Sequence, residues 1–312
     1  MAVSIRLRAQ QRWKILASII KKESLEKNDQ KVSVRRFSGF NLFSKKIVLI
    51  ETELNENGTD YEWVEYRHWE IVATCNSLDN TPLFIKQRCR KVVLEDLIGF
   101  DNTGNVCLWP SEEVLASYVL KHRGQFCGKT VCELGAGMTA LAGIVLAVMG
   151  NPLKVFLTDG NDNCVKNMEA ILQQNKPSFG STVVLSEKLL WDINSDLSHW
   201  ESQFDFIISA DCLFFTQSHY GLLHTMAVLL KDNGCAVIMA PKRKDTLETF
   251  CSKALSQFCV ERIENYDPVV WSQHQAAKNE DPLYDEDIHY PVLLLLTKKT
   301  KKMQLHPYRS SR

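Results

Sequence analysis

The chain predicts an α/β fold: an open, mostly parallel sheet with helices on both faces, ended by an antiparallel strand pair, plus a smaller β-rich N-terminal lobe. Three observations carry this. From about residue 130 onward, strand-length apolar runs alternate with helix-length amphipathic segments. The run Val131-Cys132-Glu133-Leu134 opens into Gly135-Ala136-Gly137-Met138, the tight turn by which a parallel strand hands over to a helix. Two strand-like runs, Cys259 to Tyr266 and Tyr290 to Thr297, close the pattern with only a polar insert rich in Asp, Glu and Gln between them.

The elements follow in order. Residues 1–30 read as a basic amphipathic helix, with Trp13, Leu16, Ile19 and Ile20 along one side. Apolar and basic residues alternate from Val32 to Ile50, which suits short strands, and Asn57-Gly58 marks a hairpin turn. Tyr61 to Ile71 and Thr81 to Val93 also read as strands. Trp109-Pro110-Ser111-Glu112-Glu113 starts a helix, with proline at its first position and acids facing the positive dipole end. Strands are then expected near 130–133, 154–158, 182–189, 204–210 and 234–240. Helices are expected over 138–149, 161–174, 218–231 and 245–257. The domain boundaries implied are 1–98 for the helix and lobe, 99–300 for the α/β domain and 301–312 for a basic tail.

The chain of 312 residues is long enough for this organisation, and its 37 basic and 37 acidic side chains cancel. A zero net charge gives no ground for a nucleic-acid or membrane partner, and no apolar run approaches the ~20 residues of a membrane span. The 10 cysteines show no Cys-x-x-Cys pair and no histidine at metal-ligand spacing, which argues for free thiols in a reducing compartment and no metal. Arg6, Arg8, Arg12, Lys14, Lys21 and Lys22 precede the first acid, Glu23. Either a mitochondrial presequence or a helix docked on the protein accounts for that, and the cytoplasm is the expected location.

The position of Glu133 bears on the ligand. A dinucleotide site needs room for a pyrophosphate and carries its ribose-binding acid about 20 residues further on. Here an acid stands at the strand end itself, where it suits a cation. Asp159 closes the next run, Val155 to Asp159, where it would accept ribose hydroxyls. Two strand-end acids around one helix point to S-adenosylmethionine as cofactor rather than a nicotinamide. Trp191 follows the strand near 185, either along the adenine edge or as a core aromatic.

A second signal is Ser209-Ala210-Asp211-Cys212-Leu213-Phe214-Phe215, where a buried strand delivers a carboxylate and then aromatics. Asp211 with Phe214 would suit an amine nucleophile, the carboxylate holding the cationic head and the ring adding a cation–π contact of ~0.5–2 kcal/mol. The alternative is a helix N-cap at Asp211 followed by core phenylalanines.

With Glu133-x-Gly135-x-Gly137, Asp159, Trp191 and Asp211-x-x-Phe214 assembled, the chain resembles the seven-β-strand protein-lysine methyltransferases that carry an Asp-x-x-Tyr/Phe motif. The likeness runs over roughly residues 32 to 300. It is closest in Val32 to Phe37, Asn41 to Phe43, Phe100 to Val106, Trp109 to Leu115, Asp159 to Asn161, Ala210 to Phe214, Glu264 to Asp267 and His289 to Pro291. Within the family it looks most like the members that act on calmodulin. The resemblance implies a seven-stranded, Rossmann-like class I methyltransferase sheet and transfer of methyl groups to a lysine of calmodulin, up to trimethyllysine. It also implies donor binding by Trp109, Glu133, Gly135, Gly137, Asp159, Trp191 and Ala210, and catalysis by Asp211 and Phe214. Phe214 has no hydroxyl, so no proton-transfer role falls to it. A monomer is expected. Calmodulin is acidic, so the Lys242-Arg243-Lys244 turn reads as a docking site for it, with nuclear import as the competing use.

Three other readings stay open on the sequence. One is the same chemistry on another protein, such as a chaperone or translation factor. A non-catalytic binding module would be expected to lose one of the acids at 133, 159 or 211. A nicotinamide oxidoreductase is disfavoured by Glu133 and by the terminal strand pair.

Overall fold

The computed structural model describes residue 37 and residues 39–51, 61–69, 81–88 and 107–299. The expected N-terminal helix, the Asn57-Gly58 turn and the 301–312 tail lie outside these residues.

Strands β1 (Phe43–Glu51), β2 (Tyr61–His68) and β3 (Leu83–Arg88) form an antiparallel three-stranded sheet in the order β1-β2-β3. Helix α1 (Pro110–Lys121) follows, with Pro110 at its first position as expected. The parallel part of the main sheet comprises β4 (Thr130–Leu134), β5 (Lys154–Asp159), β6 (Val183–Lys188), β7 (Phe204–Ala210) and β8 (Leu230–Ala240). Helices α2 (Leu141–Met149), α3 (Asp162–Asn175) and α4 (His219–Leu229) connect them, and α5 (Thr246–Ala254) follows β8. β9 (Phe258–Ile263) and β10 (Val292–Lys298) complete the seven-stranded order β6-β5-β4-β7-β8-β10-β9.

The closing pair is antiparallel as expected, with Leu295 opposite Glu261 and Leu294 opposite Arg262. β10 also pairs antiparallel with β8, so it lies between β8 and β9, and β9 becomes the edge. The polar insert between these strands is helical, which its composition concealed. Asp267 caps α6 (Pro268–Glu280), its side chain accepting from Val269 N and Val270 N, and a short α7 (Glu286–His289) follows. Val270 and His274 are the residues α6 buries, so its periodicity is weak in the sequence.

Strand order fixes where the site lies. From β4 the chain steps outward through β5 to β6, then returns to β7 and steps the other way to β8. Right-handed crossovers therefore put α2 and α3 on one face and α4 on the other, leaving a crevice between the carboxyl ends of β4 and β7. Ser209 Oγ bridges those ends by donating to Leu134 O at 2.9 Å.

The three-stranded sheet sits on α3 through two asparagines. Asn175 accepts from Phe84 N at 2.9 Å and donates to Phe84 O at 2.7 Å. Asn167 Nδ2 donates to Lys86 O at 2.8 Å and to Met138 O at 2.7 Å, so it ties β3 to the loop after β4. Glu113 completes the join: its carboxylate accepts from Phe40 N at 2.8 Å and Leu42 N at 3.0 Å.

Candidate active site

The turn after β4 is built on left-handed backbone at Gly135 (φ 68°) and Gly137 (φ 62°). Gly137 N donates to Asp159 Oδ2 at 2.9 Å, and Asn161 N donates to Asp159 Oδ1 at 2.9 Å. The carboxylate at the end of β5 thus braces the turn at the end of β4. A Cβ on Gly135 would lie 2.6 Å from Cys212 Sγ and 3.0 Å from the Trp191 ring. The loops after β4, β6 and β7 therefore close on one point, and Trp191, half-buried, is the ring that covers it.

Glu133 lies beneath this turn rather than at its surface. It is 1% exposed, and Oε2 accepts from Gly143 N, in the first turn of α2, at 2.9 Å. The sequence reading placed this carboxylate beside the donor's cation; in the fold it holds the helix start that shapes the turn. The N-cap of α2 is Ala140, which has no side chain to satisfy the first N–H groups. Glu133 serves one of them, and Glu112 serves another: its Oε1 accepts from Leu141 N at 2.7 Å and from Thr139 Oγ1 at 2.6 Å. Both acids face the positive end of the helix dipole.

Burial, and then Glu112, push the Glu133 carboxyl well above the usual carboxylate range, against the Gly143 N–H that lowers it. Glu112 is raised to about 7 by burial, with the bonds from Thr139 and Leu141 lowering it and Asp159 raising it. A cationic ligand at this turn would favour the ionised forms of both acids.

At the end of β7, Ala210 leads into Asp211, which is left-handed (φ 53°) and only 9% exposed. Asp211 N donates to Met239 O at 2.9 Å, which fixes it to β8. The N-cap reading of Asp211 does not hold, because α4 starts at His219 with Ser218 at its cap. The carboxylate instead receives Arg243 Nη2, at 2.8 Å from each oxygen. Burial raises the Asp211 carboxyl and the guanidinium lowers it. Leu213 is buried, while Phe214 and Phe215 stay half-buried beside it, as walls of an access route would be.

The Lys242-Arg243-Lys244 turn differs from its expected form. Arg243 points inward to Asp211 instead of outward to a partner. Lys242 pairs with Glu264 at 3.2 Å, and Lys244 is exposed. Asp287 of α7 holds this turn, its backbone carbonyl accepting from Arg243 N at 2.8 Å and its carboxylate from Lys244 N at 2.8 and 3.0 Å.

Glu133, Gly135, Gly137, Asp159, Trp191, Ala210 and Asp211 are thus gathered at adjoining strand ends. Trp109 caps α1, one turn before the Glu112 carboxylate that supports the same loop. The sequence reading takes Glu112 and Glu113 only as helix-start acids and Arg243 only as a docking residue, and it does not single out Gly143 or Asn167. A signal existed for the first two: Val114, Leu115 and Ala116 follow them directly, and adjacent acids on a helix buried nearly all round cannot both face water.

The sequence model of the family described as "Lysine methyltransferase" matches residues 95–257. The chain belongs to the lysine methyltransferase family. The calmodulin-lysine N-methyltransferase of Arabidopsis thaliana is 32% identical over 302 residues, covering 92% of this chain and 95% of that protein. Protein N-lysine methyltransferase METTL21A of Danio rerio is 28% identical over 160 residues, covering 51% of this chain and 71% of the relative. The histone-arginine methyltransferase METTL23 of Mus musculus is 32% identical over 129 residues, 40% of this chain and 48% of that one. The protein is an S-adenosylmethionine-dependent methyltransferase acting on protein lysine, and its strand-end site fits that donor: a left-handed glycine turn braced by Asp159 stands over the buried carboxyls of Glu133 and Glu112.

Proposed function

We propose that this enzyme methylates a lysine of calmodulin, up to trimethyllysine. One observation carries the choice of substrate. The likeness to the Arabidopsis thaliana protein spans 92% of this chain, so it takes in parts outside residues 95–257, whereas the likeness to METTL21A covers 51%. Those outlying parts include the three-stranded sheet and the α6–α7 insert. The insert reaches the site through Asp287, which holds the turn bearing Arg243.

In this reading Gly135, Gly137, Asp159 and Trp191 bind the donor at its nucleoside end, with Trp109 and Ala210 alongside. Glu133 and Glu112 act from below by fixing the start of α2. When bound, S-adenosylmethionine supplies a methyl group on a sulfonium. Asp211 takes the amine of the acceptor lysine, and Phe214 lines its approach. A lysine amine has a reference pKa near 10.4, so only about one part in a thousand is neutral at pH 7.4. Alignment of the amine by Asp211 and Phe214 must supply most of the acceleration, of which ~7–11 kcal/mol is available from positioning alone.

The test is to incubate the enzyme with S-adenosylmethionine and unmethylated calmodulin and to map the modified residue by mass spectrometry. Modification confined to one lysine supports the proposal. Donor binding with calmodulin unmodified would contradict the substrate and direct the search to other proteins.

A further inference from the structure

The Asp211 carboxylate meets a guanidinium in the fold itself. Arg243 Nη2 stands 2.8 Å from both oxygens, while its Nε is buried with no hydrogen-bond partner among the described residues. This geometry is held from several sides. Arg243 and Lys244 are both left-handed, at φ 43° and 63°, and Asp287 ties both of their N–H groups. A non-glycine pair in this conformation persists only where the surroundings impose it. The arrangement thus places a fixed positive charge against the group that receives the substrate amine.

We propose that Arg243 is a positioning residue for the methyl-accepting amine: its guanidinium offsets the Asp211 charge, so the lysine loses its proton at lower pH than beside an unpaired carboxylate. This rests on the reading of Asp211 as the acceptor group. A carboxylate offers about four acceptor directions, so one Nη2 across both oxygens leaves room for an amine. An unpaired Asp211 would hold the lysine as ammonium, which binds well and cannot attack. With Arg243 in place the lysine ammonium passes one proton to water, and the lone pair of the resulting amine then forms the N–C bond as the methyl–sulfur bond breaks, that electron pair going to sulfur.

Other groups around the pair leave this balance in place. Cys212, next to Asp211, is a buried thiol that senses Asp159 and Glu133 at the ends of β5 and β4. Lys242 is engaged with Glu264, and Asp287 faces the backbone of the Arg243 turn. From α4, His219 bonds to Leu213 O and is held below its usual pKa by burial. From α5, Lys253 Nζ donates to Thr216 O at 3.2 Å. Arg243 is the cation in contact with Asp211 among the described residues.

The experiment compares wild type, Arg243→Gln and Arg243→Lys. Turnover on calmodulin is followed from pH 6.5 to 10, and calmodulin affinity is measured without donor. Arg243→Gln should move the rising limb of turnover up by about one to two pH units. It should also bind calmodulin several-fold more tightly, while Arg243→Lys keeps the limb near that of wild type. Loss of a merely structural contact would lower rate and affinity together at every pH, and that result would overturn the proposal. An unshifted limb in Arg243→Gln, with Asp211→Ala inactive, would overturn it while sparing the acceptor reading. Turnover retained by Asp211→Ala would overturn both.

Discussion

Replacing Glu112 by glutamine should remove a pH dependence from the stability of this protein. The Glu112 carboxyl is buried under the start of α2 and raised from 4.5 to about 7. The folded chain therefore holds that proton more tightly than the unfolded chain does. The associated stability is fully present below about pH 4.5 and is lost as pH rises through about 7, beyond which it stays flat. At about 1.4 kcal/mol per pKa unit the raise is worth about 3 kcal/mol. Glutamine keeps an oxygen to accept from Thr139 and Leu141 N–H but has no proton to lose. It also removes the Glu112 charge that helps to raise Glu133. Urea unfolding of both proteins at pH 5 and pH 8 is the assay, with equal m-values as the check that the curves are comparable. Between the two pH values the wild type should lose most of those ~3 kcal/mol more than Glu112→Gln does, the other raised acids contributing to both proteins. The same difference between variants at both pH values would refute the reasoning, because Glu112 would then carry the same charge throughout.

The remaining predictions concern the supports of the site. Gly143→Ala would bring a Cβ to 2.2 Å from Leu157 Cδ2 and 2.5 Å from Glu133 Oε2. Overpacking of this kind costs about 1–3 kcal/mol, more than the ~1 kcal/mol gained in helix propensity, and donor affinity measured by calorimetry should fall as Glu133 is displaced. Gly124→Ala, where a Cβ meets nothing within 4 Å, is the control that should leave both unchanged. Glu113→Ala would leave the N–H groups of Phe40 and Leu42 without their acceptor. It should cost on the order of 3 kcal/mol in chemical denaturation, with donor affinity nearly unaltered.

Much of the fold was legible because it is written in periodicity. The five parallel strands and the helices between them end within a few residues of their expected bounds, since strand-length and helix-length apolar patterns have local causes. The α6 helix was missed although Asp267-Pro268 is a start signal, because its sequence carries almost no apolar stripe. In the site, Gly135, Gly137, Asp159 and Asp211 were recognisable because each stands at a strand end, where the chain has few alternatives. Arg243 was misjudged for the opposite reason. Whether a basic residue in a turn faces water or a carboxylate 32 positions away depends on the left-handed backbone that Asp287 holds, and no local pattern encodes that. Glu133 stands at a strand end as expected, but its partner Gly143 N–H emerges only when α2 packs against β4 and β5.

The most direct test of the account is a side-by-side measurement of calmodulin's intact mass after incubation with S-adenosylmethionine and either wild type or Asp211→Ala. Wild type should add mass in steps of one methyl group. Asp211→Ala should add roughly 100-fold less in the same time while binding the donor with near-normal affinity, since only the acceptor is misplaced. Equal methylation by both proteins would contradict the assignment of Asp211, and with it the claim that the crevice between β4 and β7 is where the lysine is received.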